Sequence, residues 1–182
     1  HFLAYFAERG YACYALSVSG HGGSPGREHL DSFGLDHYVS DVAAVVEQLP
    51  APPVLVGHSM GGMVAQKYLE SHEAAGLVLL ASVPPQGLWA AALGLAFQKP
   101  GVMSDLNSLL GGGRVALDTL RSAMFAQPVT TEDLARWYKR MQPESHRAIW
   151  DMTLFNLPLK SRMTLPPLLV LGAEHDTLIP AS

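Results

Sequence analysis

Val54-Leu-Val56 is a wholly apolar run that leads straight into Gly57-His-Ser-Met-Gly-Gly62, and an apolar helical segment, Met63 to about Ser71, leaves it. Few folds accept that succession. A short run without polar residues suits a strand covered on both faces, as in a parallel sheet. Gly57 to Gly61 fits G-x-S-x-G, and a strand before it with a helix after it is the setting that separates a nucleophile elbow from an ordinary glycine-rich turn. On such a turn the serine takes a strained backbone, and glycines two residues to either side are expected to avoid clashes between helix and strand. The Ser59 hydroxyl is then raised above the sheet, beside a helix N-terminus whose amides bind an oxyanion.

The flanking sequence has the same texture. His1 to Arg9 is a short amphipathic helix closed by Gly10. Tyr11 to Val18 reads as a strand, with Cys13 as a small core residue in it. Gly20 to Gly26 is a loop by composition. Leu35, Val39, Val42, Val46 and Leu49 fall on one helical face, and Pro50 to Pro53 ends that helix. Leu77-Val-Leu-Leu80 is a further buried strand. Strands alternating with helices predict a parallel sheet with crossover helices, the α/β class. From Val83 to about Thr164 the texture turns helical, near 88–98, 102–110, 114–126, 131–142 and 144–155, with Thr130 and Asp133 as a capping box for the fourth. Strand texture returns at Leu168-Leu-Val-Leu171. The expected organisation is a sheet-and-helix core at 1–83, a helical insertion at 84–164, and the core again at 165–182.

Composition narrows the function classes. With 12 Lys and Arg against 16 Asp and Glu, a net charge of −4, the chain lacks the basic footprint of a nucleic-acid binder. One cysteine makes no internal disulfide, and no Cys/His cluster has zinc spacing. The longest near-uncharged apolar stretch, Gly87 to Phe97, falls short of the ~18 residues of a membrane span. The apolar stretch Leu88 to Phe97 and the Met and Trp residues of the insertion (Trp89, Met103, Met124, Trp137 and Met152) suit an acyl-binding pocket under the lid or plain helix packing equally. Arg136, Lys139 and Arg140 read as a solvated helix face.

A serine is a weak nucleophile unless a histidine takes its proton and a carboxylate orients that histidine. Leu168 to Leu171 ends a strand and delivers Asp176 into the following loop, with Glu174 as the competing carboxylate. His58 and His175 neighbour Ser59 and Asp176 in sequence, so their side chains tend to point away. His21 lies in a loop, and His1, His29, His37, His72 and His146 read as surface or helix residues.

The chain resembles the α/β-hydrolase family, in its lid-bearing esterase, lipase and peroxidase-like branch. The resemblance rests on Glu8-Arg-Gly-Tyr11, Gly20-His-Gly-Gly-Ser24, Gly57-His-Ser-Met-Gly-Gly62 and Gly172-Ala-Glu-His-Asp176 with Pro180. It covers nearly the whole chain outside the insertion, which corresponds in position to the variable cap or lid. The resemblance implies an α/β-hydrolase fold with a parallel-sheet core and a helical cap, Ser59 as nucleophile, Asp176 as the triad acid, the Met60 amide as one oxyanion donor, and no cofactor or metal. Relatives that use Asp as nucleophile, the dehalogenases and epoxide hydrolases, are excluded by Ser59. The family's Asp and Arg before the Gly20 loop are replaced by Ser17 and Ser19, which removes an ion pair. The first sheet strands, the loop with the second oxyanion donor, and the last strand with the catalytic histidine are expected to lie outside the chain.

The expected function is a serine hydrolase that cleaves carboxylic esters, a small-molecule substrate, through an acyl-enzyme on Ser59. A cofactor-free peroxidase or C–C hydrolase on the same triad is the alternative, as is an inert fragment of the fold. Lacking the base, the chain alone is expected to be inactive. A cytoplasmic location is favoured, and His at position 1 suggests that the N-terminus is missing.

Overall fold

Three short parallel strands carry the fold in this computed structural model, which describes residues 2–98, 100–101, 104, 108, 113, 115–176 and 179. They are β1 (Val54–His58), β2 (Gly76–Leu80) and β3 (Leu168–Leu171), side by side in that order. Val54 pairs with Gly76 and His58 with Leu80, while Leu77 pairs with Leu168 and Leu80 with Leu171. The carboxyl ends of all three strands therefore lie along one edge. Helix α1 (Phe2–Ala7) precedes the sheet, and Gly10 stops it with φ 88°. A 3₁₀ segment, Arg27–Ser32, and helix α2 (Leu35–Val46) follow.

Helix α3 (Met60–Tyr68) packs on β1 and β2 on one side and on α2 on the other. Residues 62–69 are buried throughout, which explains why this helix carries almost no polar stripe. Ala65, Tyr68 and Leu69 close one apolar cluster with Leu77 and Leu79 of β2 and with Val39, Val42 and Val46 of α2. Each large side chain buried there contributes about 1.5–3 kcal/mol. A second cluster joins Leu35, Tyr38, Met63, Val64 and Val83 to Ala148 and Met152. It ties the sheet side of the molecule to the segment between β2 and β3.

That segment is helical: α4 (Trp89–Gln98), α5 (Leu117–Met124), α6 (Thr131–Tyr138) and α7 (His146–Trp150). After α7 the turn widens to i→i+5 spacing over Asp151–Phe155, and a 3₁₀ turn spans Lys160–Arg162. No strand interrupts it among the described residues. The expected 102–110 helix falls largely outside the described residues. Thr130 caps α6 by accepting from the Asp133 amide at 3.1 Å and donating to its carboxylate at 2.8 Å. Arg136 pairs with Asp133 on the exposed face, as its charge pattern suggested.

Two expectations fail. Tyr11 to Val18 is not a strand, since it has no ladder partner among the described residues, and Tyr11, Tyr14 and Leu16 stand exposed. A strand is defined by a neighbour that satisfies its amides and carbonyls, and apolar composition does not supply one. Cys13 is accordingly only half-buried, with its thiol 3.4 Å from the Tyr11 carbonyl oxygen, and is not a core residue. Nor are all the strands covered on both faces. β2, in the middle, is largely buried, whereas Val54 and Val56 of β1 are 59% and 51% exposed and every residue of β3 is exposed.

Candidate active site

Ser59 stands between the last residue of β1 and the first of α3, with φ 52° and ψ −123°. A positive φ in a non-glycine residue stores strain that the surroundings must hold in place. Here three backbone bonds do so. The Ser59 amide donates to the Leu80 carbonyl at 3.1 Å, and the Ser59 carbonyl accepts from the Gly62 amide at 3.0 Å and the Val83 amide at 3.1 Å. The elbow is therefore fastened to the carboxyl end of β2, where Ala81 is the other described non-glycine residue at positive φ, 39°.

The glycines of the motif play unequal parts. A Cβ on Gly57 would come within 2.6 Å of the Gly61 carbonyl oxygen and the Gly62 Cα, both backbone atoms. One on Gly62 would meet the Ser82 Cβ at 2.5 Å. Gly61 has nothing within 4 Å of where its Cβ would stand. The close helix-to-strand approach thus requires Gly57 and Gly62, and the expected need at Gly61 is absent. The helix also begins earlier than expected: Met60 and both following glycines belong to its first turn.

Met60 occupies the first position of α3, where the N–H has no acceptor within the helix and points out of its N-terminus. The Met60 side chain is partly buried against the cluster that contains Met63, Val83 and Met152. Asp176 follows β3, its amide bonded to the Ala173 carbonyl at 3.1 Å and its carboxylate accepting from the Ile179 amide at 2.8 Å. Glu174 is exposed in the same loop. Ser59 directly follows β1 and Asp176 stands five residues after Leu171 of β3, so both lie past the carboxyl edge of the sheet, with β2 between their strands.

The described histidines have other positions. His21 is partly buried, its Nδ1 3.1 Å from the Ser19 carbonyl oxygen and its Nε2 3.3 Å from Glu144. His72 stacks on Tyr68, and His146 bonds Asp31 through its ring at 3.0 Å and its amide at 2.8 Å. Those bonds hold the exposed Asp31 carboxyl below its usual range, the backbone donor more than the ring. His29, His37, His58 and His175 are exposed. His1 lies outside the described residues.

Ser19, which the resemblance sets in place of an arginine, is not idle. Its amide and hydroxyl bind the Asp41 carboxylate of α2 at 2.7 and 3.0 Å. Sequence reading missed that replacement for the lost ion pair, as it missed the seam between the 20–35 loops and the 142–151 segment. There Gln142 accepts from the Gly22 amide and from Arg27, Tyr38 donates to Glu144 at 2.9 Å, and the Leu35 amide donates to Asp151 at 3.0 Å. Of the residues offered for an acyl pocket, Met152 is core, Trp137 stacks on Phe125, and Trp89 and Met124 are exposed. Met103 lies outside the described residues. Among the described residues no group of three or more His, Cys, Asp or Glu side chains could hold a metal ion, and no helix is long and apolar enough to cross a membrane.

Several known proteins are similar to this chain. A non-heme haloperoxidase of Rhodococcus erythropolis is 40% identical over 87 residues, 46% of this chain and 31% of the relative. A bifunctional esterase/perhydrolase of Acinetobacter calcoaceticus is 38% identical over 87 residues, again 46% and 31%. The matched stretch thus spans under a third of these curated relatives. Among solved structures, an esterase from Exiguobacterium antarcticum superposes with a TM-score of 0.62 at 20% identity, over 90% of this chain and 63% of that one. A pyrethroid hydrolase from Sphingobium faniae does so with a TM-score of 0.63 at 20% identity, over 98% and 73%. The family profile described as the alpha/beta hydrolase family matches residues 1–182. With the parallel sheet and its elbow serine, that match over the full length places the chain in the alpha/beta hydrolase family.

Proposed function

We propose that the protein is a serine hydrolase acting on carboxylic esters of small or medium apolar acids. One observation carries the reading: Ser59 is held in a strained conformation at positive φ where β1 meets α3. That backbone presents a hydroxyl at a helix N-terminus, the place where negative charge on a tetrahedral intermediate is best stabilised. Ser59 attacks the ester carbonyl and gives its proton to a histidine expected downstream of this chain. The Met60 amide donates to the developing oxyanion, and Asp176 orients the imidazolium. The alcohol leaves with the proton, and water then releases the acid from the acyl-enzyme. The helices of 84–164 form the cap over this edge and set the choice of acyl group.

A second reading draws on two relatives named a haloperoxidase and an esterase/perhydrolase. In it, hydrogen peroxide instead of water takes the acyl group from Ser59 and leaves as the peracid. Both readings need the same serine. Labelling of the full-length protein with a fluorophosphonate tests it: a Ser59-dependent adduct is expected, absent in Ser59→Ala. A folded wild type that takes no label would sink both and leave a non-catalytic member of the fold. Peracid formation from an ester and peroxide, measured against plain hydrolysis, separates the two.

A further inference from the structure

Gln66 is an amide side chain buried in the middle of α3, only 3% exposed. A glutamine so placed needs partners, and its partners here are informative. Its Nε2 lies 3.1 Å from the Gly62 carbonyl oxygen, 3.0 Å from the Val83 carbonyl oxygen and 3.2 Å from the Ser82 hydroxyl. The two carbonyls accept only, so the amide must present its NH₂ and not its oxygen to them. Gly62 and Val83 are also the two residues whose amides hold the Ser59 carbonyl, at 3.0 and 3.1 Å. One side chain thus grips, by their carbonyls, both residues that grip the strained serine by their amides. The Ser82 hydroxyl, itself donating to the Val83 carbonyl at 3.0 Å, fills the space that the absent Cβ of Gly62 leaves.

We propose that Gln66 is a positioning residue for Ser59. It locks the Ser82–Val83 turn after β2 onto the first turn of α3, and so keeps the serine in its strained conformation; the proposal rests on the hydrolase reading of Ser59. Gln66 touches no reacting atom. Its removal should let the Ser59 peptide relax and move the hydroxyl away from the Met60 amide, without changing whatever surface recognises the acyl group.

The test uses the full-length protein with Gln66→Met, which keeps length and bulk but donates nothing. The rate of fluorophosphonate labelling and kcat for an ester should fall about tenfold to a hundredfold, the scale of a misplacement of about 1 Å. KM should stay within about twofold, because ground-state binding is untouched. Backbone hydrogen exchange at Val83 and Gly62 should accelerate. Leu69→Ala, in the other apolar cluster of the same helix, is the control. It should lower the thermal midpoint at least as much yet leave kcat within about twofold. Gln66→Glu places a carboxylate against carbonyl oxygens, so its activity should be low at neutral pH. Taken as a ratio to wild type at the same pH, so that the titration of the histidine base cancels, it should recover as acid supplies the proton to donate. That pH profile decides the matter if Gln66→Met does not fold. A folded Gln66→Met that labels at the wild-type rate overturns the proposal, as does a Leu69→Ala that loses kcat equally. If the wild type takes no label at all, the hydrolase reading falls by itself. The exchange measurement then judges the coupling, and Val83 protection unchanged in Gln66→Met refutes it.

Discussion

Gly57→Ala and Gly61→Ala should move stability in opposite directions, although the two residues sit symmetrically about Ser59 in the motif. At Gly57 the added methyl would lie 2.6 Å from both the Gly61 oxygen and the Gly62 Cα, and 2.8 Å from the Gly61 carbonyl carbon. All three are backbone atoms of α3, which is buried against the sheet and cannot slide away without opening the cluster around Leu69 and Leu77. Overpacking of this kind costs about 1–3 kcal/mol, and the absence of a flexible neighbour puts Gly57 at the upper end. At Gly61 the methyl meets nothing within 4 Å, and the residue is helical with an ordinary φ. There alanine narrows the unfolded ensemble and stabilises by about 0.4–1 kcal/mol. The two variants should differ by about 3.5 kcal/mol, which is roughly 7–14 °C in midpoint for a chain of this size. Urea unfolding followed by circular dichroism measures both. Equal destabilisation by the two substitutions would refute the argument, because it would mean that the motif's spacing rather than the helix-to-strand contact demands glycine.

Two further outcomes concern the seam between the 20–35 loops and the segment around α7. Ser145 is fully buried, caps α7 by accepting from the Ala148 amide at 3.2 Å, and donates to the Phe33 carbonyl. Ser145→Ala strands a buried acceptor and a helix N–H together and should cost about 2 kcal/mol in chemical denaturation. Tyr38 is fully buried and donates to Glu144, and burial first, then the Glu144 charge, push its hydroxyl well above the usual tyrosine range. A group raised on folding contributes stability that is present below its unfolded pKa, about 10, and is lost as pH rises beyond it. The urea midpoint should therefore fall between pH 9 and 11, as a rough window, and fall less steeply in Tyr38→Phe; parallel slopes would exclude Tyr38 as the cause.

The sequence makes the elbow legible because strand, turn and helix are adjacent there: Val54 to Ser71 contains every residue that shapes it except Leu80 and the turn after β2. Local pattern likewise places α2, β2, β3 and the capped α6. It fails where a partner decides. Tyr11 to Val18 has strand composition and no neighbour to pair with among the described residues. The coverage of β1 and β3 depends on what lies on their faces, which periodicity does not report. The Ser19–Asp41 pair, the Gln66 bonds to Ser82 and Val83 and the Gln142-to-Asp151 seam join positions from 16 to 120 residues apart, and no short-range signal marks them. For the site, Ser59, Met60 and Asp176 come from motif and order, whereas the role of Gln66 emerges only from which carbonyls it faces.

Gly87, at φ 80°, sits so close to the chain returning from the insertion that a Cβ would meet the Thr153 and Met152 carbonyl oxygens at 2.5 and 3.1 Å. Leu88 and Leu157 pack into the same cluster as Val83 and Met152. The two stems of the helical segment are thus pinned to each other beside the elbow. What is threaded between Leu88 and the seam that begins at Gln142 is a closed loop whose length the sheet does not register, and doubling such a loop costs only about 0.6 kcal/mol of closure entropy. The molecule is in this sense a socket. A different set of helices could be inserted between Leu88 and Gln142, where the seam to the 20–35 loops begins, leaving the strained serine and its fastenings in place.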